Sequence, residues 1–272
     1  MFPTGSDALQ DLYRTADRVR AAGLTREAAE PLYRDFVEFV RMFAPGGRVL
    51  DVGCGAGWST AQFADKRFDA TGLDLNPAAF EPPPHDRLRF RVGSGTAIPF
   101  PDHTFDVAAA NQVIEHVPDP AKMLDEMVRV VRPGGVVAIV GPNLLGLGGY
   151  VRAMTRFVWW NRPWWTILFR SKDMPRHPFG NTLPESAAGL VVGLARVTGK
   201  SLSRRAVFLM REPDLRPPFH SDNDAVYLCN PLDLARHLRD RGCTVLRDVA
   251  PGRGAWTRML ATGTWVAART PG

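Results

Sequence analysis

Cysteine is scarce in this sequence, and its scarcity excludes several structural classes. Only Cys54, Cys229 and Cys243 occur among the 272 residues, and none of them belongs to a CxxC pair. Three widely spaced cysteines cannot all pair, and they lack the spacing of a zinc module. We therefore expect a protein of the reducing cytoplasm without a structural metal.

Long hydrophobic segments are also few. Residues 1–15 show no basic stretch followed by an apolar core, so we expect no signal peptide. The longest run without a charged residue, Pro133 to Val151, is long enough to cross a bilayer. Because it contains Pro142 and six glycines, a buried strand followed by a loop fits it better than a membrane helix. The expected location is cytoplasmic, and a peripheral position at the inner membrane surface stays open.

The composition is that of an ordinary globular enzyme. Apolar residues make up 45% and charged residues 23% of the chain, which is enough to bury a full core. Basic residues exceed acidic ones by 34 to 28, a formal net charge of +6. Residues 144–225 hold 12 basic and 6 acidic residues, so this segment carries the whole excess. An acidic partner or surface is therefore possible, and residues 144–225 carry the positive charge that would attract it.

Short apolar runs alternate with helical stretches over much of the chain. The first five runs are residues 48–52, 69–75, 88–92, 105–111 and 135–141. Such alternation is typical of a doubly wound α/β fold, in which a mostly parallel, Rossmann-like sheet has helices on both faces. Helices are predicted over 120–135 and 231–242, and two more strands over 243–249 and 262–268, which gives seven strands.

The alternation stops after Asn143 and resumes at Asn230, which divides the chain into parts. The predicted parts are N-terminal helices in residues 1–44, a core in 45–143 and 226–272, and a large, mostly helical insertion in 144–225. Within the first part, Ser6 caps a helix that ends near Gly23. Thr25 opens a second helical region, with Pro31 at the first turn of a new segment.

A glycine-rich loop follows the first predicted strand, with the sequence DVGCGAGWS from Asp51 to Ser59. Glycines at such a turn let the backbone approach a ligand and leave the next helix N-terminus facing it. Asp74 ends the second strand, 17 residues after Gly57, where a carboxylate can accept both hydroxyls of a ribose. Trp58 stands where a dinucleotide-binding loop has a small residue, which disfavours a nicotinamide cofactor.

The block VLDVGCGAG resembles the first motif of the class I S-adenosylmethionine-dependent methyltransferases. IPFPDHTFDVAAANQVIEHVPDP (98–120) and LDEMVRVVRPGGVVAIVGPN (124–143) are similar to later signatures of the family, in the same order. The resemblance covers residues 45–143 and again 230–269. It implies S-adenosylmethionine as cofactor and S-adenosylhomocysteine as product. It also implies an antiparallel pair at one sheet edge, and helices in residues 1–44 that cover the cofactor.

The resemblance assigns roles to the residues at matching positions. The group implied to hold the methionine part of the cofactor is Asp51, Gly53, Cys54 and Gly55. Asp74 would hold the ribose, and Leu75 would lie against the adenine. The other implied cofactor contacts are Ser94, Gly95, Thr96, Asn111 and Gln112. Ser94 stands where the family often has an acid, so a hydroxyl or a backbone carbonyl would replace that acid at the adenine.

Methyl transfer to a hydroxyl oxygen benefits from a general base, and histidine suits that role. The two candidates are His116, which follows Glu115, and His220 in the run PPFHSDNDAVY. A structural role is the alternative for each histidine. Asp222 and Asp224 have a spacing that metal ligands can show, but no complete ligand set accompanies them, so we predict no metal.

The insertion contains a segment, residues 150–172, that interleaves arginine with aromatic residues. Its four tryptophans are Trp159, Trp160, Trp164 and Trp165. This composition suits contact with an anionic membrane surface, binding of single-stranded nucleic acid, or a cap or subunit interface, and all three alternatives stay open. Because the insertion leaves the core just after the fifth strand, we predict a cap on the acceptor side.

The sequence thus predicts a methyltransferase acting on a small-molecule, glycan or lipid-type acceptor, with oxygen as the favoured atom. DNA is not an expected partner, because the chain lacks a Pro-Pro-aromatic block after the fourth strand and has no Pro-Cys dipeptide. An RNA methyltransferase and a non-catalytic cofactor-binding scaffold are the alternatives. The sequence does not determine the oligomeric state.

Overall fold

The computed structural model describes residues 26–76, 82, 85–151, 168, 178–180, 182–215, 223–249 and 261–272. Several predicted features lie outside the described residues. These are the helix from Ser6 to Gly23, His220, Asp222 and the four tryptophans of segment 150–172.

Seven strands form the sheet at the centre of the fold. They are β1 (Gly47–Val52), β2 (Phe68–Asp74), β3 (Leu88–Val92), β4 (Phe105–Asn111), β5 (Val131–Pro142), β6 (Thr244–Arg247) and β7 (Gly263–Arg269). Their order is β3-β2-β1-β4-β5-β7-β6. Neighbours among β1 to β5 are parallel, whereas β7 is antiparallel to both β5 and β6. The predicted mostly parallel sheet and its antiparallel edge are confirmed.

Helices cover both faces of the sheet. They are α1 (Arg26–Arg41), α2 (Trp58–Asp65), α3 (Pro120–Val130), α4 (Leu183–Leu202), α5 (Pro231–Asp240) and a 3-10 turn (Ile114–His116). Alternate residues of β4 serve the two faces: Val107 and Ala109 pack with the α1 and α2 side, and Ala108 and Ala110 with the α3 and α5 side. This alternation explains why the strand is apolar on both faces.

Two helix boundaries differ from the prediction. The helix predicted over residues 120–135 ends at Val130, because Pro133 cannot continue a helix and Val131 pairs with Phe105 as the start of β5. Pro31 lies inside α1, where a new segment was predicted to begin. Residues on both sides of Pro31 pack against α2 or the loop before it, which holds the two halves of α1 in one helix.

Within the described part of the insertion, no strand joins the sheet. Residues 209–214 and 223–228 instead run antiparallel to one another as a two-stranded arm. Its backbone hydrogen bonds run from Leu228 to Leu209, from Arg211 to Val226 and from Asp214 to Asn223, at 2.9, 2.7 and 2.9 Å. The predicted boundary between residues 225 and 226 falls within this arm.

A buried ion pair ties the insertion to the core. The Lys200 ammonium, on α4, donates to Asp233 Oδ2 on α5 and to the backbone carbonyl of Val207. Asn230 Nδ2 donates to the same Asp233 oxygen at 2.7 Å. Burial lowers the pKa of Lys200, although Asp233 works in the other direction. A charge pair of this kind resists separation of α4 from α5, because either charge left alone would be buried without its partner.

Candidate active site

The glycine-rich loop lies between β1 and α2, at the carboxyl end of the parallel strands, as predicted. Gly53 and Gly57 have φ angles of +72° and +90°, which side chains rarely adopt. A Cβ at Gly53 would lie 2.4 Å from Val113 Cγ2, and one at Gly57 would lie 2.5 Å from the Phe90 ring. The glycines therefore let the loop after β4 and strand β3 approach the loop closely.

The amides of this loop hold its shape. The amides of Gly53 and Cys54 donate to the carbonyl of Leu73 at 2.7 and 3.1 Å. The amide of Gly55 donates to Asp74 Oδ2 at 2.8 Å. These contacts fix the loop against the end of β2, and the loop's role toward the methionine end of a cofactor stays a prediction. Cys54 is buried, and burial raises the pKa of its thiol, which disfavours the thiolate form.

Asp51 lies buried at the end of β1 and pins the start of α2. Its Oδ2 accepts hydrogen bonds from the hydroxyls of Ser59 and Thr60 at 2.6 and 2.7 Å. Burial raises the pKa of the Asp51 carboxyl to about 6, although the two hydroxyl donors work in the other direction. The carboxyl thus links β1 to the helix whose N-terminus faces the site.

Asp74 lies where the sequence predicted a ribose-binding acid. Besides the Gly55 amide, it accepts the amide of Asn76 on Oδ1 at 3.0 Å. The role of this carboxylate toward ribose hydroxyls stays a prediction. Leu75, directly after it, is half-buried.

The loop after β3 and the end of β4 complete this side of the site. The hydroxyls of Ser94 and Thr96 lie 2.9 Å apart, and a Cβ at Gly95 would lie 3.1 Å from Val52 on β1. Asn111 ends β4. Gln112 has a φ of +56°, and its amide donates to the carbonyl of Val140 at 2.8 Å. The predicted cofactor residues therefore lie along one edge of the sheet.

Sequence reasoning missed a clamp that holds the loop after β3. Arg129 on α3 donates to the carbonyls of Ile98 and Phe100, each at 2.9 Å, while Glu126 Oε2 accepts the Ile98 amide at 2.8 Å. The bonds from Arg129 are the main cause of a lowered pKa at Glu126. The signal was available, since Glu126 and Arg129 are three residues apart on a helix whose apolar face is assigned elsewhere.

The 3-10 turn after β4 carries His116, the predicted base. Its Nε2 lies 3.6 Å from Glu115 Oε1, and its Nδ1 lies 3.6 Å from Asp224 Oδ1 on the arm. Glu115 is fully buried, whereas His116 keeps 19% of its side chain exposed. The structure thus brings a histidine and two carboxylates together beside the end of the sheet. The other predicted base, His220, lies outside the described residues.

The comparisons with known proteins agree with this geometry. A family model described as a methyltransferase domain matches residues 50–139. An uncharacterized methyltransferase of Mycobacterium sp. (strain JLS) is 31% identical over 175 residues, which are 63% of this chain and 69% of that protein. The chain belongs to the class I S-adenosylmethionine-dependent methyltransferases.

Two further similarities place this methyltransferase among its relatives. The 2-methyl-6-phytyl-1,4-hydroquinone methyltransferase of Synechocystis sp. is 35% identical over 132 residues, 42% of each chain. A putative S-adenosylmethionine-dependent methyltransferase of Listeria monocytogenes superposes with a TM-score of 0.55 at 10% identity. That superposition covers 88% of this chain and 98% of the other, which shows the shared fold.

S-adenosylmethionine is the cofactor of the family, and the residues of this methyltransferase fit it. Gly53 and Gly57 adopt left-handed backbone angles that let the loop turn in front of the N-terminus of α2, and the Asp74 carboxylate lies beside this loop, where it accepts the Gly55 amide at 2.8 Å. Among the described residues, no three His, Cys, Asp or Glu side chains are grouped as metal ligands. In that same part of the chain, no helix has the length and apolar character needed to cross a bilayer.

Proposed function

We propose that this methyltransferase transfers the methyl group of S-adenosylmethionine to an oxygen atom of a small-molecule, glycan or lipid-type acceptor. The observation that carries the proposal is the position of His116 between two carboxylates at the carboxyl end of the sheet. A histidine oriented by an acid is a suitable base for a hydroxyl, whose proton must leave during transfer.

When bound, the cofactor supplies an electrophilic methyl group on a sulfonium. Asp74 would hold its ribose, and Leu75 with the 94–96 loop would border the adenine. The proposed contacts to the methionine end are Asp51, Gly53, Cys54, Gly55, Asn111 and Gln112. The protein's main work is to align acceptor oxygen, methyl carbon and sulfur and to exclude competing water.

We also propose that the parts of the chain predicted from the sequence have the roles assigned to them there. Helix α1 places Ala29 and Tyr33 against Ala56 and Trp58, next to the glycine-rich loop, which supports residues 1–44 as a cover for the cofactor. The insertion leaves the core after β5, and its arm returns to the His116 turn. These contacts support residues 144–225 as a cap on the acceptor side.

A lipid-type acceptor is favoured by the exposed face of α4. Val191 and Leu202 are 70% and 81% exposed, on a helix in the basic segment that also contains the tryptophans of residues 150–172. The Synechocystis relative is named for a hydroquinone with a phytyl chain. An apolar face within a basic segment suits contact with an anionic membrane surface, where such an acceptor resides.

Membrane contact is testable by cosedimentation with phosphatidylglycerol vesicles. We expect Val191→Asp to weaken the binding of the protein to these vesicles. Leu32→Asp, a change at a residue 62% exposed on α1, is the matched control and should leave binding unchanged. Equal vesicle binding by both variants and the wild type would reject the membrane contact, although it would leave the methyltransferase assignment intact.

The methyl-transfer proposal is tested with labelled S-adenosylmethionine and methylhydroquinone as probe acceptor. His116→Ala should lower kcat by about 10²–10⁴-fold and leave the affinity for S-adenosylhomocysteine unchanged. His85→Ala, at an exposed position, is the control. Transfer to carbon or nitrogen would contradict the oxygen assignment. Strongly salt-dependent RNA binding would favour an RNA substrate instead, and cofactor binding without transfer to any acceptor would favour a scaffold.

A further inference from the structure

The two-stranded arm docks directly on the turn that carries His116. The amides of Val226 and Tyr227 both donate to the carbonyl of Glu115, at 2.8 and 3.0 Å. Ala225 and Tyr227 are fully buried. The second strand of the arm is therefore held against the turn that contains the proposed base.

The second strand of the arm places an acidic residue, Asp224, beside His116. Asp224 Oδ1 lies 3.6 Å from Nδ1 of His116, and that nitrogen is itself buried. Asp224 keeps 22% of its side chain exposed, so it lies at the open side of the arm. A carboxylate favours the proton on the ring nitrogen beside it. Glu115 lies 3.6 Å from Nε2, so Asp224 is the acid that can draw the proton to Nδ1 and leave Nε2 able to accept one.

The neighbouring residue shows an unusual feature. Asn223 is 1% exposed, and among the residues that the structure describes none forms a hydrogen bond with its side-chain oxygen or nitrogen. A buried amide without partners destabilises a fold, and native proteins rarely keep one that no ligand or water satisfies. Asn223 is adjacent in sequence to Asp224, and a ligand with donor and acceptor groups could satisfy its amide.

We infer that the arm forms part of the acceptor site, with Asn223 binding the acceptor and Asp224 positioning His116. This inference rests on the proposed function and names the residues that recognise a hydroxyl-bearing acceptor. In the step, the acceptor oxygen bonds to the methyl carbon and the electron pair of the carbon–sulfur bond stays on sulfur. The hydroxyl proton passes to Nε2 of His116, where the Glu115 carboxylate stabilises the imidazolium.

Asn223 is tested by a stability measurement and a binding measurement on the same variant. Asn223→Ala loses no internal hydrogen bond, so the Tm of the ligand-free protein should stay unchanged or rise by about 1–3 °C. Calorimetry with methylhydroquinone, on protein saturated with S-adenosylhomocysteine, should show affinity weakened by about threefold to tenfold. Asn223→Ser, which keeps a donor and an acceptor, should recover part of that affinity. A lower Tm with unchanged probe affinity would overturn the assignment.

Asp224 is tested by turnover and by the tautomer of His116. Asp224→Asn should lower kcat by about a hundredfold with little change in KM, because the variant amide can donate to Nδ1 and select the wrong tautomer. Nitrogen NMR of labelled histidine should show the proton on Nδ1 in the wild type and on Nε2 in the variant. Glu212→Gln, an exposed change of the same charge on the other strand of the arm, is the control. The same tautomer in Asp224→Asn as in the wild type would overturn the positioning role.

Failure of the proposed function looks different from failure of this inference. A wild type that binds no S-adenosylhomocysteine, or transfers methyl only to carbon or nitrogen, contradicts the proposed function. A wild type that methylates the probe at oxygen, with Asn223 and Asp224 variants equal to Glu212→Gln, contradicts the arm alone. If the probe is not methylated at all, the Tm of Asn223→Ala and the His116 tautomer still decide the inference.

Discussion

The proposed cofactor side and the proposed acceptor side of the site are held together in different ways. On the cofactor side, Asp51 bonds two hydroxyls of the next helix and Asp74 bonds the loop that precedes that helix. On the acceptor side, His116 meets Asp224 from the far end of the insertion. The first arrangement is internal to one strand–helix–strand unit, while the second depends on the docking of the arm. Cofactor binding should therefore survive changes that abolish methyl transfer.

The largest expected effect follows from removing the buried Lys200–Asp233 ion pair, which links the insertion to the core. Lys200→Met leaves Asp233 buried without its cation, which should destabilise the protein by about 3–5 kcal/mol. Urea unfolding of the purified variant measures this loss. The affinity of the folded variant for S-adenosylhomocysteine should stay within about twofold of the wild type, because the tie contacts none of the proposed cofactor residues.

A second variant tests whether the unpaired Asp233 charge causes the stability loss in Lys200→Met. Lys200→Met combined with Asp233→Asn removes both charges and keeps a carbonyl oxygen for the Val207 amide, so it should recover part of the lost stability. A double variant no more stable than the single one would mean that packing, not the unpaired charge, causes the loss. A parallel loss of cofactor affinity would show that the two sides of the site are not separable.

A smaller effect on the cofactor side follows from the raised pKa of Asp51. Its pKa moves from an ordinary 3.8 to about 6 in the folded protein. The folded state therefore binds a proton more tightly than the unfolded chain, and stability falls as the pH rises through that window. Above pH 6 the buried, ionised carboxylate lowers the stability of the folded state by at most about 3 kcal/mol.

Asp51→Asn removes this titration and can still accept hydrogen bonds from Ser59 and Thr60. The stability of Asp51→Asn relative to the wild type should therefore be greater at pH 7.5 than at pH 4. Chemical denaturation at both pH values measures the difference, with Asp69→Asn, an exposed carboxylate on β2, as control. The same relative stability at pH 4 and pH 7.5 would contradict the cost assigned to the buried carboxyl.

The smallest expected effect is a change in the affinity for S-adenosylhomocysteine, which tests the proposed cofactor side alone. Asp74→Ala removes an ionised acceptor from the ribose hydroxyls, and hydrogen bonds to charged groups contribute about 1.5–3 kcal/mol. The Kd for S-adenosylhomocysteine should rise about tenfold or more by calorimetry, while Asp69→Ala on the same strand should leave it unchanged. Unaltered affinity in a folded Asp74→Ala variant would reject the ribose assignment.

The cofactor side could be predicted from the sequence because its contacts are local. Strands β3 and β4 begin and end where the runs 88–92 and 105–111 do; β4 is buried between helices, whereas β3 lies at the edge of the sheet and is largely exposed. Because β1 and β2 are adjacent parallel strands, the glycine-rich loop and Asp74 necessarily meet at the same end of the sheet. Chain order and strand pairing were sufficient for that part of the site.

The acceptor side could not be predicted in the same way. The sequence of the arm has no clear apolar alternation. Its strands pair with each other and with the carbonyl of Glu115, and neither strand belongs to the central sheet. Nothing in the local sequence of Asp224 points to His116, and nothing around Lys200 points to Asp233. These contacts depend on how the insertion folds back onto the core, which a periodicity within one segment does not encode.

A crystal structure of the methyltransferase with S-adenosylhomocysteine tests the two sides of the site most directly. We expect both ribose hydroxyls on the Asp74 carboxylate, the homocysteine end along the Gly53–Gly55 loop, and the sulfur facing the space beside His116 and the arm. A ribose bound elsewhere, or a sulfur that faces away from His116 and Asn223, would contradict the division of the site into these two sides.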